Sequence, residues 1–82
     1  MKNEVQNWIV NWFKRRNPGL AINVEMDFYQ DGLVDSFGII ELIEEMEDHF
    51  SIRFDDTDFK LPSFRIIRGL VQIIDQKRSD AP

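Results

Sequence analysis

In three separate stretches of this chain the apolar residues recur at spacings of three and four, and no pair of strands joined by a turn can be read beside them. Val5, Trp8, Ile9, Trp12 and Phe13 make one stripe; Ile39, Leu42, Ile43, Met46 and Phe50 make a second; Ile66, Ile67, Leu70, Ile73 and Ile74 make a third. Each stripe is one side of an amphipathic helix, and such a helix is stable only when another element covers that side. The pattern predicts an all-α fold: a small antiparallel bundle of three longer helices and one short helix, with a long loop between helices one and two.

The boundaries follow from local chemistry. Lys14, Arg15 and Arg16 end the first helix, where positive charge suits the dipole, and Asn17-Pro18-Gly19 stops it. From Leu20 to Val34 the apolar residues Ile22, Val24, Met26, Phe28 and Leu33 are too scattered for a helix and too apolar for a solvated linker. They are expected to plug the core, with Asp31-Gly32 turning the chain before the next element. Asp35 is a favoured N-cap, because its carboxylate can accept unpaired N–H groups of the first turn; Ser36 then takes the first helical position, and the helix ends near Phe50. After a short extended "SIRF", "DDTDF" suits one helical turn capped by Asp56 or Thr57. "LPSFRIIRGLVQIIDQKR" suits a last helix capped by Ser63, in which Gly69 weakens the helix slightly and leaves room for close packing.

Eighty-two residues, 43% of them hydrophobic and seven of them Phe, suffice for one domain over 1–82. With no Cys there is no disulfide, thiolate metal site or cysteine nucleophile, which suits a reducing cytoplasm. Polar residues, Glu4 among them, interrupt the apolar runs of the N-terminus, unlike a signal peptide. Nothing approaches the ~18 apolar residues of a membrane span. The expectation is a cytoplasmic monomer with no membrane insertion. A net charge of −5 argues against nucleic acid as a partner. Charge is also segregated: no Lys or Arg lies between Asn17 and Ile52, where Glu25, Asp27, Asp31, Asp35, Glu41, Glu44, Glu45, Glu47 and Asp48 fall. The resulting negative field would speed encounter with basic partners.

Enzymatic chemistry has little to work with. A nucleophilic Ser36 needs a base, and the single histidine, His49, is thirteen positions along the same helix. That is roughly 20 Å at ~1.5 Å per residue, beyond hydrogen-bond reach. No phosphate loop, paired catalytic carboxylates or metal-ligand cluster is present, so the chain is read as no enzyme and as holding no metal. Residues 27–38 imitate a calcium loop in Asp27, Asp31, Gly32, Val34 and Asp35, but Tyr29 and Gly38 stand where two of the strongest ligands belong. Ser36 remains as a substrate rather than a catalyst. A phosphate placed there meets free backbone N–H groups and the positive end of the dipole.

The surroundings of Ser36 resemble the acyl carrier protein family. Phe28, Gly32-Leu33-Val34-Asp35-Ser36, Glu41-Leu42, Glu47, Phe50 and Ile52 to Phe54 carry the likeness, and the first and last helices match in length and placement. The resemblance implies that Ser36 receives 4′-phosphopantetheine from coenzyme A through a separate magnesium-dependent phosphopantetheinyl transferase, with Asp35 flanking it. A chain without cysteine would then present a thiol supplied by its cofactor and carry an acyl or aminoacyl group as a thioester. The partners implied are that transferase, an acyl- or aminoacyl-loading ligase and downstream biosynthetic enzymes with basic docking surfaces. Val34, Phe37, Ile40, Glu41, Glu44, Glu47, Asp48 and Phe54 are the interface candidates. Phe37 and Gly38 depart from the fatty-acid carriers, and the run "DSFGIIELIEEMEDHF", with "FYQDGLVDS" before it and "DDTDF" after, looks closer to D-alanyl and other stand-alone aminoacyl or specialised carriers. A core of Trp8, Trp12, Phe13 and Phe50 looks too full to enclose a long acyl chain. The alternative is an acidic helical interaction module with Ser36 unmodified, or a face that is merely solvated.

Overall fold

The computed structural model describes residues 2–80, and Met1, Ala81 and Pro82 of the expected 1–82 domain lie outside the described residues. Four α-helices follow one another: α1 (Lys2–Arg16), α2 (Ser36–Phe50), α3 (Asp56–Lys60) and α4 (Ile67–Asp80), with a 3₁₀ turn, Pro62–Arg65, before α4. The fold is all-α. Among the described residues the only sheet-like pairing is a single antiparallel bridge between Asp27 and Ile66.

The stripes meet as their spacing requires. Val5, Ile9, Trp12 and Phe13 from α1 pack with Leu42, Met46 and Phe50 from α2 and with Ile67, Leu70, Val71 and Ile74 from α4, all buried. Ile39, Ile43 and Ile73 flank this core half-buried. Contacts at the helix ends give the directions. Trp8 of α1 meets Phe50 at the end of α2, while Arg16 at the end of α1 pairs with Glu41 near the start of α2. Arg78 of α4 reaches both Glu4 and Phe50. Hence α1 runs antiparallel to α2 and to α4, and those two run the same way.

The long loop plugs the core as expected: Phe28 and Leu33 are buried, and Ile22, Val24 and Met26 pack against it half-buried. Its backbone is tied at three places. The Asn17 amide donates to the carbonyls of Phe13 (3.0 Å) and Leu33 (3.1 Å). Phe28 N–H donates to the Arg65 carbonyl (3.1 Å), and Arg68 N–H donates to Val24 (3.0 Å).

Two expected caps are corrected. α3 is capped by Asp55, not by Asp56 or Thr57: Asp55 accepts from Asp58 N–H (3.0 Å) while Asp58 accepts from Asp55 N–H (2.9 Å), a reciprocal pair that a neighbour cannot match. Ser63 caps nothing, because α4 starts four residues later. Pro62–Arg65 closes a tighter turn, and Ile66 is pulled into extended backbone (φ −126°, ψ 135°) by its pairing with Asp27. Ile66 is accordingly only half-buried, and Val71 joins the α4 stripe instead.

Candidate functional site at the start of α2

Asp35 has extended backbone and its Oδ1 accepts from Gly38 N–H at 2.7 Å, while Ile39 N–H reaches the Asp35 carbonyl at 2.9 Å. This cap starts the helix at Ser36 and leaves its side chain exposed. The N–H groups of Ser36 and Phe37 precede the first helical acceptor and point along the axis toward whatever the hydroxyl carries. Gly38 is required by packing. A Cβ there would overlap the buried Val34 side chain, so Val34 closes over the first turn from below.

The approach to Ser36 is shaped by Asp27. Its Oδ1 accepts from Tyr29 N–H (3.1 Å) and Gln30 N–H (2.9 Å), and its Oδ2 lies 3.3 Å from Arg65 Nε. Gly32, with φ +80°, lets the chain double back so that Leu33 N–H bonds the Phe28 carbonyl at 2.9 Å. Phe28 is thereby anchored inside against Phe13, ring centroids 4.8 Å apart. The next residue, Tyr29, stands out beside the helix start, its hydroxyl 3.3 Å from Ser36 Oγ.

Ser36 opens onto a groove of about 480 Å³. Phe28, Ile39, Ile43 and Phe64 line its depth, Phe59 of α3 forms a wall, and Tyr29 and Arg65 share its mouth with Ser36. The short α3 is kept in place by its capping box and by Lys77 of α4, whose ammonium lies 2.7 Å from Asp58. Burial pushes the Asp58 carboxyl up, but hydrogen bonds from Lys77 and from the Asp55 backbone, with the Lys77 charge, overrule it and hold it below 3.8. The free apolar space therefore lies between α2, α3 and the 3₁₀ turn. Around α1, Trp12, Phe13 and Phe50 are buried and Trp8 is half-buried.

The interface candidates separate. Phe37 is 80% and Ile40 54% exposed, and Glu44 and Asp48 project beside them from α2. Glu41 is exposed but bound to Arg16 at 2.7 Å. Glu47 is half-buried, its Oε2 accepting from Phe54 N–H at 2.9 Å, so it braces the chain after α2. Val34 and Phe54 are corrected. Both are buried at 8% exposure, Val34 over Gly38 and Phe54 edge-on to Phe64 at 5.4 Å, and neither offers a docking surface. His49 stacks on Trp8, centroids 5.0 Å apart, at the far end of the helix from Ser36. Asp27 and Asp35, two acids of the calcium-loop imitation, are occupied by backbone N–H groups. Among the described residues no three His, Cys, Asp or Glu side chains converge as metal ligands.

Tyr29 and Arg65 line the groove beside Ser36 without being singled out by the local sequence. Tyr29 lay in view seven positions before Ser36. Arg65 carried no local signal, because only the Asp27–Ile66 bridge brings it to the site.

An exposed serine at a capped helix start thus lies beside an apolar groove and an acidic helix. The chain belongs to the family described as phosphopantetheine attachment site, which matches residues 8–72. A D-alanyl carrier protein of Bacillus licheniformis is 29% identical over 56 residues, covering 68% of this chain and 72% of that protein. No solved structure matches. The prosthetic group of this carrier family is 4′-phosphopantetheine, and the chain is a carrier of acyl or aminoacyl groups. The site fits the group: the serine oxygen is exposed, N–H donors face it, and the adjoining groove is apolar with one cation at its mouth. When bound, the group supplies the terminal thiol that holds the cargo as a thioester.

Proposed function

We propose that Ser36 bears the phosphopantetheine arm and that the chain presents its cargo to other enzymes without catalysing a step itself. The observation that carries this is the geometry at the start of α2: Ser36 is exposed at the first helical position behind the Asp35 cap. In the attaching step the Ser36 oxygen bonds to the phosphoryl group of coenzyme A and gives up its proton, and the adenosine bisphosphate part leaves. The transferase supplies the base and the magnesium ion. The chain supplies the oxygen, the N–H groups that face the phosphate, and a helix start that a partner can grip.

The cargo proposed is an aminoacyl or other short acyl group, supported by the likeness to a D-alanyl carrier protein. The partners proposed are a phosphopantetheinyl transferase, a loading ligase and downstream enzymes. Their basic surfaces would meet Glu44 and Asp48 around the exposed Phe37 and Ile40. Among the described residues no helix is long and apolar enough to cross a membrane, and a cytoplasmic location as a monomeric single domain is part of the proposal.

The test is intact mass after incubation with coenzyme A, magnesium and a broad-specificity phosphopantetheinyl transferase. The wild-type chain should gain one phosphopantetheine, and Ser36→Ala should gain none while keeping its helical spectrum. A folded wild-type chain that gains nothing would leave the acidic interaction module as the function.

A further inference from the structure

We propose that Tyr29 and Arg65 form a seat for the phosphodiester on Ser36, turning the arm toward the groove between α2 and α3. The proposal rests on Ser36 being the attachment point. No Lys or Arg lies within fifteen residues of Ser36 in sequence on either side, yet the fold brings one guanidinium to the groove that Ser36 opens. Arg65 ends the 3₁₀ turn, and its carbonyl accepts from Phe28 N–H at 3.1 Å, so it is pinned across from Tyr29 by backbone. Its Nε lies 3.3 Å from Asp27 Oδ2, and its guanidinium carbon 5.5 Å from the centre of the Tyr29 ring.

Tyr29 is oriented in turn by its own N–H on Asp27, and its hydroxyl lies 3.3 Å from Ser36 Oγ. An uncharged serine needs no such company. A phosphodiester on that oxygen would place anionic oxygens beside a phenol donor and a forked guanidinium, which suits phosphate better than a point charge does. Asp27 balances the Arg65 charge, so the seat works through directed N–H and O–H donors rather than net attraction. With the phosphate held on this side, the arm leaves Ser36 along Phe59 and Phe64 rather than across Phe37 and Ile40. The exposed face of α2 stays clear for partners.

Phosphorus NMR of the loaded protein tests this, with wild type, Arg65→Gln, Arg65→Lys and Tyr29→Phe compared with loaded wild type unfolded in urea. Amide spectra check that each variant keeps its fold; residue 65 retains its backbone bond to Phe28 in every one. The folded wild-type phosphorus resonance should stand apart from the unfolded position. Arg65→Gln should lose most of that separation, Arg65→Lys should restore only part of it, and Tyr29→Phe should lose a smaller share. A folded Arg65→Gln with the wild-type resonance would overturn the seat while leaving the attachment intact. A wild-type chain that gains no phosphopantetheine, or a Ser36→Ala chain that gains one, would overturn the attachment and the seat together.

Discussion

Gly38 and Gly69 show how single residues hold the site open. A Cβ at Gly69 would overlap the Ser63 carbonyl, so α4 touches the 3₁₀ turn backbone to backbone. A Cβ at Gly38 would meet the Val34 side chain instead. Alanine is the better helix former by about 1 kcal/mol, but forced overlap in a packed site costs about 1–3 kcal/mol. Gly69→Ala is therefore expected to destabilise by up to about 2 kcal/mol net in urea unfolding, and to disturb Phe64 and Arg65 as the turn moves. Gly38→Ala is expected to cost less, since a side chain yields more readily than backbone; equal losses would refute the distinction. The cap at Asp35, the place of Ser36 and the close approach at Gly69 were all legible in sequence, because each depends on the nearest few residues. The burial of Val34 was not. Its neighbours in sequence are the same whether it faces a partner or the core.

At the scale of elements, α3 is the least self-sufficient part. Five residues cannot sustain a helix by propensity, so it depends on the Asp55–Asp58 capping box and on Lys77. Asp58 has its folded pKa below 3.8, so its charge stabilises the fold fully above that value and ceases to do so as pH falls through the lower, folded one. Asp58→Asn keeps an acceptor for Asp55 N–H but loses the charge facing Lys77. It is expected to cost about 1 kcal/mol near neutral pH. Urea unfolding across pH should show this gap narrowing below 3.8, and a gap that persists unchanged at lower pH would assign the effect to packing. The short helix was visible in "DDTDF", but its cap was misplaced by one or two residues, because the winning Asp is decided by the return bond from Asp58.

For the whole molecule, the segregation of charge survives folding in altered form. Arg16, Arg65 and Arg68, from outside the acidic middle, fold back onto Glu41, Asp27 and Glu25. What stays without an ion-pair partner on α2, among the described residues, is Glu44, Glu45, Glu47 and Asp48, beside the exposed Phe37 and Ile40. Glu44→Lys is expected to slow association with a basic transferase by several-fold to about tenfold at low salt, less as ionic strength rises. Glu41→Gln should do much less, since Arg16 already neutralises that carboxylate. Stopped-flow association rates against salt would decide it, and equal effects at the two positions would show that the Arg16 pair opens on docking.

By itself the sequence determined what depends on short range and period. The helix stripes, the stop after Arg16, the capped start at Ser36, the family likeness and the acidic face of α2 follow from spacing and residue type within a few turns. Tertiary structure alone decided which acids remain available, which apolar residues of the loop and of the stretch after α2 are buried, and which side chains stand beside Ser36. Those outcomes depend on residues far apart in the chain. The Asp27–Ile66 bridge joins positions separated by almost half the molecule, and it both delays the start of α4 and delivers Arg65 to the mouth of the groove. No local pattern encodes a contact of that kind, because its stability comes from the packed core around it.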